Sequence, residues 1–150
     1  NGPDNLKASK DRASGYMKGL QKNRLKIDPS FIISSDLNKE STQTAIDNLF
    51  ALKRKPTAII AFNDYVALDI IVYSKQKNLS INKDIDLVSF SNLPIWNYFE
   101  SPPFASIEQF PYEQGTKAME TLLELLDHHK KQADPKPFFN VVFESQLIMH

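Results

Sequence analysis

Apolar positions along the chain come in two alternating textures, stripes at three- and four-residue spacing and short unbroken runs. Ala13, Tyr16, Met17 and Leu20 form the first stripe and predict a helix over 8–23. "SFIIS" (30–34) is a continuous apolar run, the texture of a strand buried on both faces. A second stripe, Thr42, Ala45, Ile46, Leu49 and Phe50, predicts a helix over 39–53. The strand "TAIIAF" (57–62) follows, then a helix over 64–77 with Val66, Ala67, Ile70 and Ile71 facing the core, then the strand in "DIDLVSF". Helix and strand alternate with short links. That rhythm predicts an α/β fold, a parallel sheet with right-handed crossovers and helices on both faces.

After Phe90 the rhythm changes. "SNLPIWNYFESPP" is irregular, with one helical turn expected around Trp96 and a stop at Pro102-Pro103, the best internal boundary. "FASIEQ" reads as a strand, 112–129 as a long helix carrying Ala118, Met119, Leu122, Leu123, Leu125 and Leu126, and "KKQADPKP" as a solvated linker. "FFNVVFESQLIM" reads as a terminal strand with one wetter face, because Phe139, Val141 and Phe143 alternate with Asn140, Val142 and Glu144. No strand precedes "NGP", so the chain reads as opening inside a fold, with a first strand missing.

Composition narrows the partners. The 150 residues suffice for a substantial core. Eighteen basic residues balance eighteen acidic ones, so no global field draws the chain to nucleic acid or anionic lipid. The absence of cysteine excludes a disulfide framework and thiol chemistry. No apolar run approaches membrane-spanning length and the first residues carry no secretory signal; a cytoplasmic location is expected.

In an open parallel sheet ligands bind beyond the carboxyl ends of the strands. Here those ends deliver Ser35-Asp36, Asn63-Asp64 and Ser91-Asn92, short hydrogen-bonding side chains on one rim. Such a rim suits a polyhydroxylated ligand, with Phe62, Trp96, Tyr98 and Phe99 as candidate stacking rings. Asn and Asp at a helix start are also favoured N-caps, and one residue can cap while the other faces a pocket. Trp96 fits a core or interface position as well as a ligand platform.

Catalysis finds no support. His128-His129 sit in the last turn of a helix, where the dipole favours cations, and the third histidine is His150. The glycines, at 2, 15, 19 and 115, form no phosphate loop. Without a histidine in reach of a serine there is no triad, and no carboxylate pair stands out. No catalytic residue, metal site or cofactor is expected.

"KPTAIIAFNDYVALDIIVYSKQKNLSINKDIDLVSFSN" followed by "SPPFASIEQFPYEQGTKAMETLLELL" resembles the effector-binding core of LacI/GalR-type transcriptional regulators, and "GPDNLKASKDRASGYMKGLQ" is similar to the family's opening. The resemblance implies a periplasmic-binding-protein-like (type I) fold, two α/β subdomains around a ligand cleft. It implies that 1–102 is most of the C-terminal subdomain and that 103–150 returns to the N-terminal subdomain and hinge. It also implies that Arg12 and Asn63 reach the effector, with Asp64 closing the helix start. Ser91 stands where the family carries an acidic residue, and Ser89 where it carries Gly. The ligand-binding set is therefore Arg12, Asp36, Asn63, Asp64, Ser91 and Trp96.

The function implied is effector sensing, probed by a sugar-like small molecule, in a bacterial repressor whose DNA-binding domain lies outside this chain; the alternative is an extracytoplasmic sugar-binding protein of a transport system. By itself the chain should not recognise a DNA sequence. Family regulators dimerise through the helix after "ND", and here 64–77 is apolar nearly all round. A homodimer through Tyr65, Leu68, Val72, Tyr73, Trp96 and Phe99 is expected.

Overall fold

The computed structural model describes residues 1–130 and 139–150. The expected linker therefore lies, apart from Lys130, outside the described residues. Helix α1 (Lys7–Lys22) leads to α2 (Lys39–Ala51), strand β1 (Ala58–Ile60), helix α3 (Asp64–Gln76), strand β2 (Asp86–Ser91), strand β3 (Ala105–Glu108), helix α4 (Pro111–Lys130) and strand β4 (Gln146–Met149). The sheet order is β1-β2-β3-β4. β1 and β3 both flank β2 in parallel, and β4 adds an antiparallel edge on β3.

β2 shows how the two faces are used. Side chains alternate across a strand. Leu87 and Ser89 are fully buried on the α3 side, where Ser89 bonds Asp64. Phe90 points the other way and lies under Arg12 of α1. α3 packs on the first face, while on the second Ile60 stays 50% exposed beside the Arg12–Phe90 contact. The core joins Ile46 of α2, Ile59 of β1, Val66, Ala67 and Ile70 of α3, Leu87 of β2 and Trp96. Each large aliphatic buried there contributes on the order of 1.5–3 kcal/mol.

Asn38 and Asn63 start α2 and α3 in the same manner. The side-chain Oδ1 accepts from the backbone N–H three residues on, Ser41 at 2.8 Å and Val66 at 2.9 Å. The turn expected around Trp96 is a 3₁₀ helix, Pro94–Tyr98. β3 hydrogen-bonds into the same sheet as β2, so the sheet runs through the Pro102-Pro103 punctuation.

Two expectations need correction. "SFIIS" is not a strand: Pro29–Phe31 is a 3₁₀ turn that Asp28 caps, its Oδ1 accepting from both the N–H and the hydroxyl of Ser30. The residues after it bond Asn1, through Asn1 N to Ile33 O (2.7 Å) and Ser35 N to Asn1 O (3.0 Å), which is too little for a ladder. The terminal strand is likewise shorter, only Gln146–Met149. Phe139, Val141 and Phe143 instead line an open groove with Ala118, Thr121, Leu122 and Leu125, and Val141 and Phe143 stay 49% and 37% exposed.

Candidate ligand site at the strand ends

β1 and β2 run parallel with Ile60 beside Val88, so Asn63 and Ser91 lie at the same end of the sheet. β3 is parallel to β2 with Glu108 beside Ser91, which brings a third strand end to that rim.

Arg12, half-buried in the second turn of α1, projects onto the rim. Its Nη1 donates to the Phe62 carbonyl at 2.5 Å. The guanidinium carbon lies 4.3 Å from the centroid of the Phe62 ring and 4.2 Å from that of Phe90. Two aromatic faces and a carbonyl hold the cation, contributing on the order of 1 kcal/mol through each ring. Burial lowers its pKa from the ordinary value, yet a guanidinium remains charged at any physiological pH. Among the described residues no carboxylate pairs with it. Most of its five N–H donors remain to be satisfied.

Ser91 and Asn92 form an irregular strand end, with φ of 110° and 56°. Non-glycine residues in this region carry strain that the surroundings must hold. A side-chain clamp does so. Asn92 Nδ2 donates to Glu108 Oε2 at 2.8 Å, while Glu108 Oε1 accepts from Gln109 N at 2.8 Å and Phe110 N at 2.7 Å. The Asn92 bond first and then the Phe110 amide hold the Glu108 carboxyl below the usual carboxylate range, with burial opposing them and the Gln109 amide adding least.

Asp64 is buried entirely, with both oxygens engaged: Oδ1 accepts from the Ser89 hydroxyl and Oδ2 from Leu93 N at 2.6 Å. Ser89 Oγ lies 3.0 Å from Ser106 Oγ, which lies 3.0 Å from His150 Nε2, so the expectation that no histidine reaches a serine is corrected here. Proton counting orders this chain. A carboxylate only accepts, so the one proton of Ser89 goes to Asp64 and that of Ser106 to Ser89. His150 must then carry its proton on Nε2. Asp64 anchors the turn that follows β2 from inside the protein.

The other expected residues spread out. Asn63 spends its Oδ1 on the α3 cap, and its amide nitrogen has no partner among the described residues. Asp36 is exposed, its backbone N–H donating to Ser41 Oγ at 3.0 Å, and no contact joins it to Arg12. Trp96 is 2% exposed, packed edge-on against Phe99 at 5.4 Å, and its indole N–H has no partner among the described residues. Of the expected dimer residues, Tyr65 and Val72 are exposed, while Leu68 and Phe99 pack against the core. Tyr73 is buried and donates to Asp47 Oδ2 at 2.7 Å. The Arg12 sandwich and the Asn92–Glu108 clamp escaped sequence reasoning; only the parallel register that sets Glu108 beside Ser91 reveals the latter.

The family model described as "Periplasmic binding protein-like domain" matches residues 1–141. The HTH-type transcriptional repressor PurR of Actinobacillus pleuropneumoniae is 30% identical over 141 residues, which are 94% of this chain and 41% of that protein. A putative transcriptional regulator LacI from Bacillus cereus subsp. cytotoxis superposes with a TM-score of 0.84 at 24% identity, over 99% of this chain and 50% of that one. The transcriptional regulator CelR in complex with cellobiose gives a TM-score of 0.82 at 22% identity, over 99% of this chain and 43% of that one. The chain thus spans less than half the length of that curated relative. It belongs to the periplasmic binding protein-like domain family, in the form carried by LacI-type transcriptional regulators.

Proposed function

We propose that the chain is the effector-sensing part of a bacterial transcriptional repressor. A sugar-like small molecule binds at the strand-end rim and shifts the balance between two arrangements of the whole protein, and DNA affinity with it. One observation carries this reading: a half-buried guanidinium, pinned between Phe62 and Phe90 at the strand ends, with no anionic partner among the described residues. A structural arginine would be expected to have a carboxylate. The cellobiose complex of CelR supports the choice of ligand class, since that protein holds a disaccharide in this fold.

Arg12, the Asn63 amide and Ser91 make the direct contacts, with Asp36 at the margin. Asp64 and Trp96 support them from within. Residues 1–102 belong to one subdomain, whose sheet β3 and β4 extend. The partner of α4, which buries none of its residues here, lies in the part of such a repressor outside the matched 41%. Two copies associate through the exposed side chains of α3 and 94–98. Regulation of DNA implies the cytoplasm, and no helix among the described residues is long and apolar enough to cross a membrane. No enzymatic step is assigned.

The test is operator binding by the complete gene product, titrated with mono- and disaccharides. A sugar should move the DNA affinity at least about tenfold, a coupling on the order of 1.4 kcal/mol. Arg12→Ala should abolish the response while leaving DNA binding intact. DNA affinity indifferent to every sugar tried would sink the reading.

A further inference from the structure

Ser91 closes β2 in a backbone conformation that its own side chain resists. Among the described residues every other non-glycine with a positive φ lies between 54° and 63°, inside the small left-handed basin, whereas Ser91 has a φ of 110°. A Cβ makes that region costly, and a serine stays there only where its surroundings hold it. Two carboxylates supply the hold. Glu108 takes Asn92 Nδ2 on one oxygen and the Gln109 and Phe110 amides on the other, so the turn after β2 and the turn before α4 share one clamp. Asp64 accepts from Leu93 N at 2.6 Å and from the hydroxyl of Ser89, on the same strand as Ser91. Asp64 and Ser89 are completely buried, whereas Ser91, Asn92 and Leu93 are half-buried. A strained, half-open turn thus hangs on fixed acceptors, at the same end of the sheet as Asn63.

We propose that the 91–93 turn is a sprung element of the rim: strain drives it open in the free protein, and effector contact with Ser91 draws it into the clamped form. This rests on the sensing reading above and adds how its site is regulated. A ligand that meets only the clamped form raises the population of that form, and its apparent affinity falls with the fraction of protein in which the turn is open. The competing role is a turn whose strain is a fixed cost of the fold, without bearing on the ligand.

Ser91→Ala and Ser91→Gly lack the same hydroxyl and differ only in the Cβ, so their comparison isolates the backbone. In the complete gene product Ser91→Gly should melt above Ser91→Ala. The concentration of sugar that half-shifts operator binding, measured with whichever of cellobiose, glucose and ribose acts on the wild type, should be about fivefold or more lower in Ser91→Gly. An equal or higher midpoint in Ser91→Gly would overturn the sprung turn and leave the sensing reading standing, as would a Ser91→Ala protein that melts as high. A wild type indifferent to all three sugars would overturn the sensing reading and the sprung turn with it. Should either variant fail to fold or to respond, hydrogen exchange at the Leu93 amide of the wild type decides. Saturating sugar should slow it about fivefold or more, and an unchanged rate refutes the inference.

Discussion

Gly2 is buried where a side chain has no room. A Cβ there would lie 2.7 Å from Cε2 of Phe62 and 2.8 Å from Ser9 Oγ. Phe62 is itself buried and carries Arg12 on its ring and its carbonyl, so it cannot yield cheaply. Gly2→Ala should cost about 1–3 kcal/mol, as overpacking does, and weaken effector response beyond that loss because the Arg12 seat moves. Thermal denaturation and operator titration on one variant check both parts; an unchanged melting temperature would contradict the geometry. At the rim, pH acts through Glu108. Its folded pKa lies below the unfolded one, so the clamp on Asn92 contributes fully above the ordinary glutamate range and is lost as pH falls through the depressed value. Asn92→Ala should flatten that part of the acid limb; an identical limb in both proteins would show that the clamp contributes nothing. Asn63 and Ser91 could be read as rim residues from the chain alone because each ends an apolar run at a helix or turn. Glu108 could not, because its role depends on which residue of a neighbouring strand it meets.

Helices were legible where one stripe meets one surface. α3 buries Val66, Ala67, Ile70 and Tyr73, close to its predicted face, and begins at the asparagine that its N-cap chemistry requires. Short apolar runs were less certain guides, since "FIIS" and 139–143 have strand composition, yet the first bonds Asn1 and the second only lines an open groove along α4. Composition specifies what a segment can bury, and not which neighbour arrives. α4 illustrates the converse. Met119, Leu123 and Leu126 recur at helical spacing yet are 57%, 58% and 48% exposed, while Leu122 and Leu125 share the groove with Phe139, Val141 and Phe143. An apolar stripe left open on this scale marks an interaction surface. The 150-residue chain alone should therefore associate as its concentration rises and bind an apolar dye. Met119→Lys with Leu123→Lys should relieve both, and in the complete gene product the same pair should be destabilising. Light scattering of the two proteins tests the contrast; a monomeric, dye-silent chain would refute an uncovered face.

For the molecule as a whole, the parallel sheet sorts functions by position. Strand ends gather the rim, and α3 packs between the sheet and α2, so it has a single outward surface for association. Tyr65, Leu68 and Val72 lie three and four residues apart and share it. Tyr65 is 69% and Val72 49% exposed, with Leu68 partly covered by the core. The turn anchored by Asp64 at Leu93 presents Ile95 and Tyr98, while turning Trp96 inward. The dimer expected from the sequence thus narrows from six residues to the outward ones, since Tyr73 and Trp96 are spent on the core and Tyr73 on its bond to Asp47. Aromatic and aliphatic anchors dominate such interfaces, where a buried charge without a partner is strongly unfavourable. Val72→Asp should thus shift the complete gene product from dimer to monomer at micromolar concentration with its fold intact, because Val72 reaches solvent in the single chain. Tyr73→Phe, which removes the hydroxyl that bonds Asp47 and meets Lys77, should lower stability by about 1 kcal/mol and leave association unchanged. Sedimentation of the two variants distinguishes the outward face from the inward one, and a Val72→Asp protein that remains fully dimeric would place the interface elsewhere.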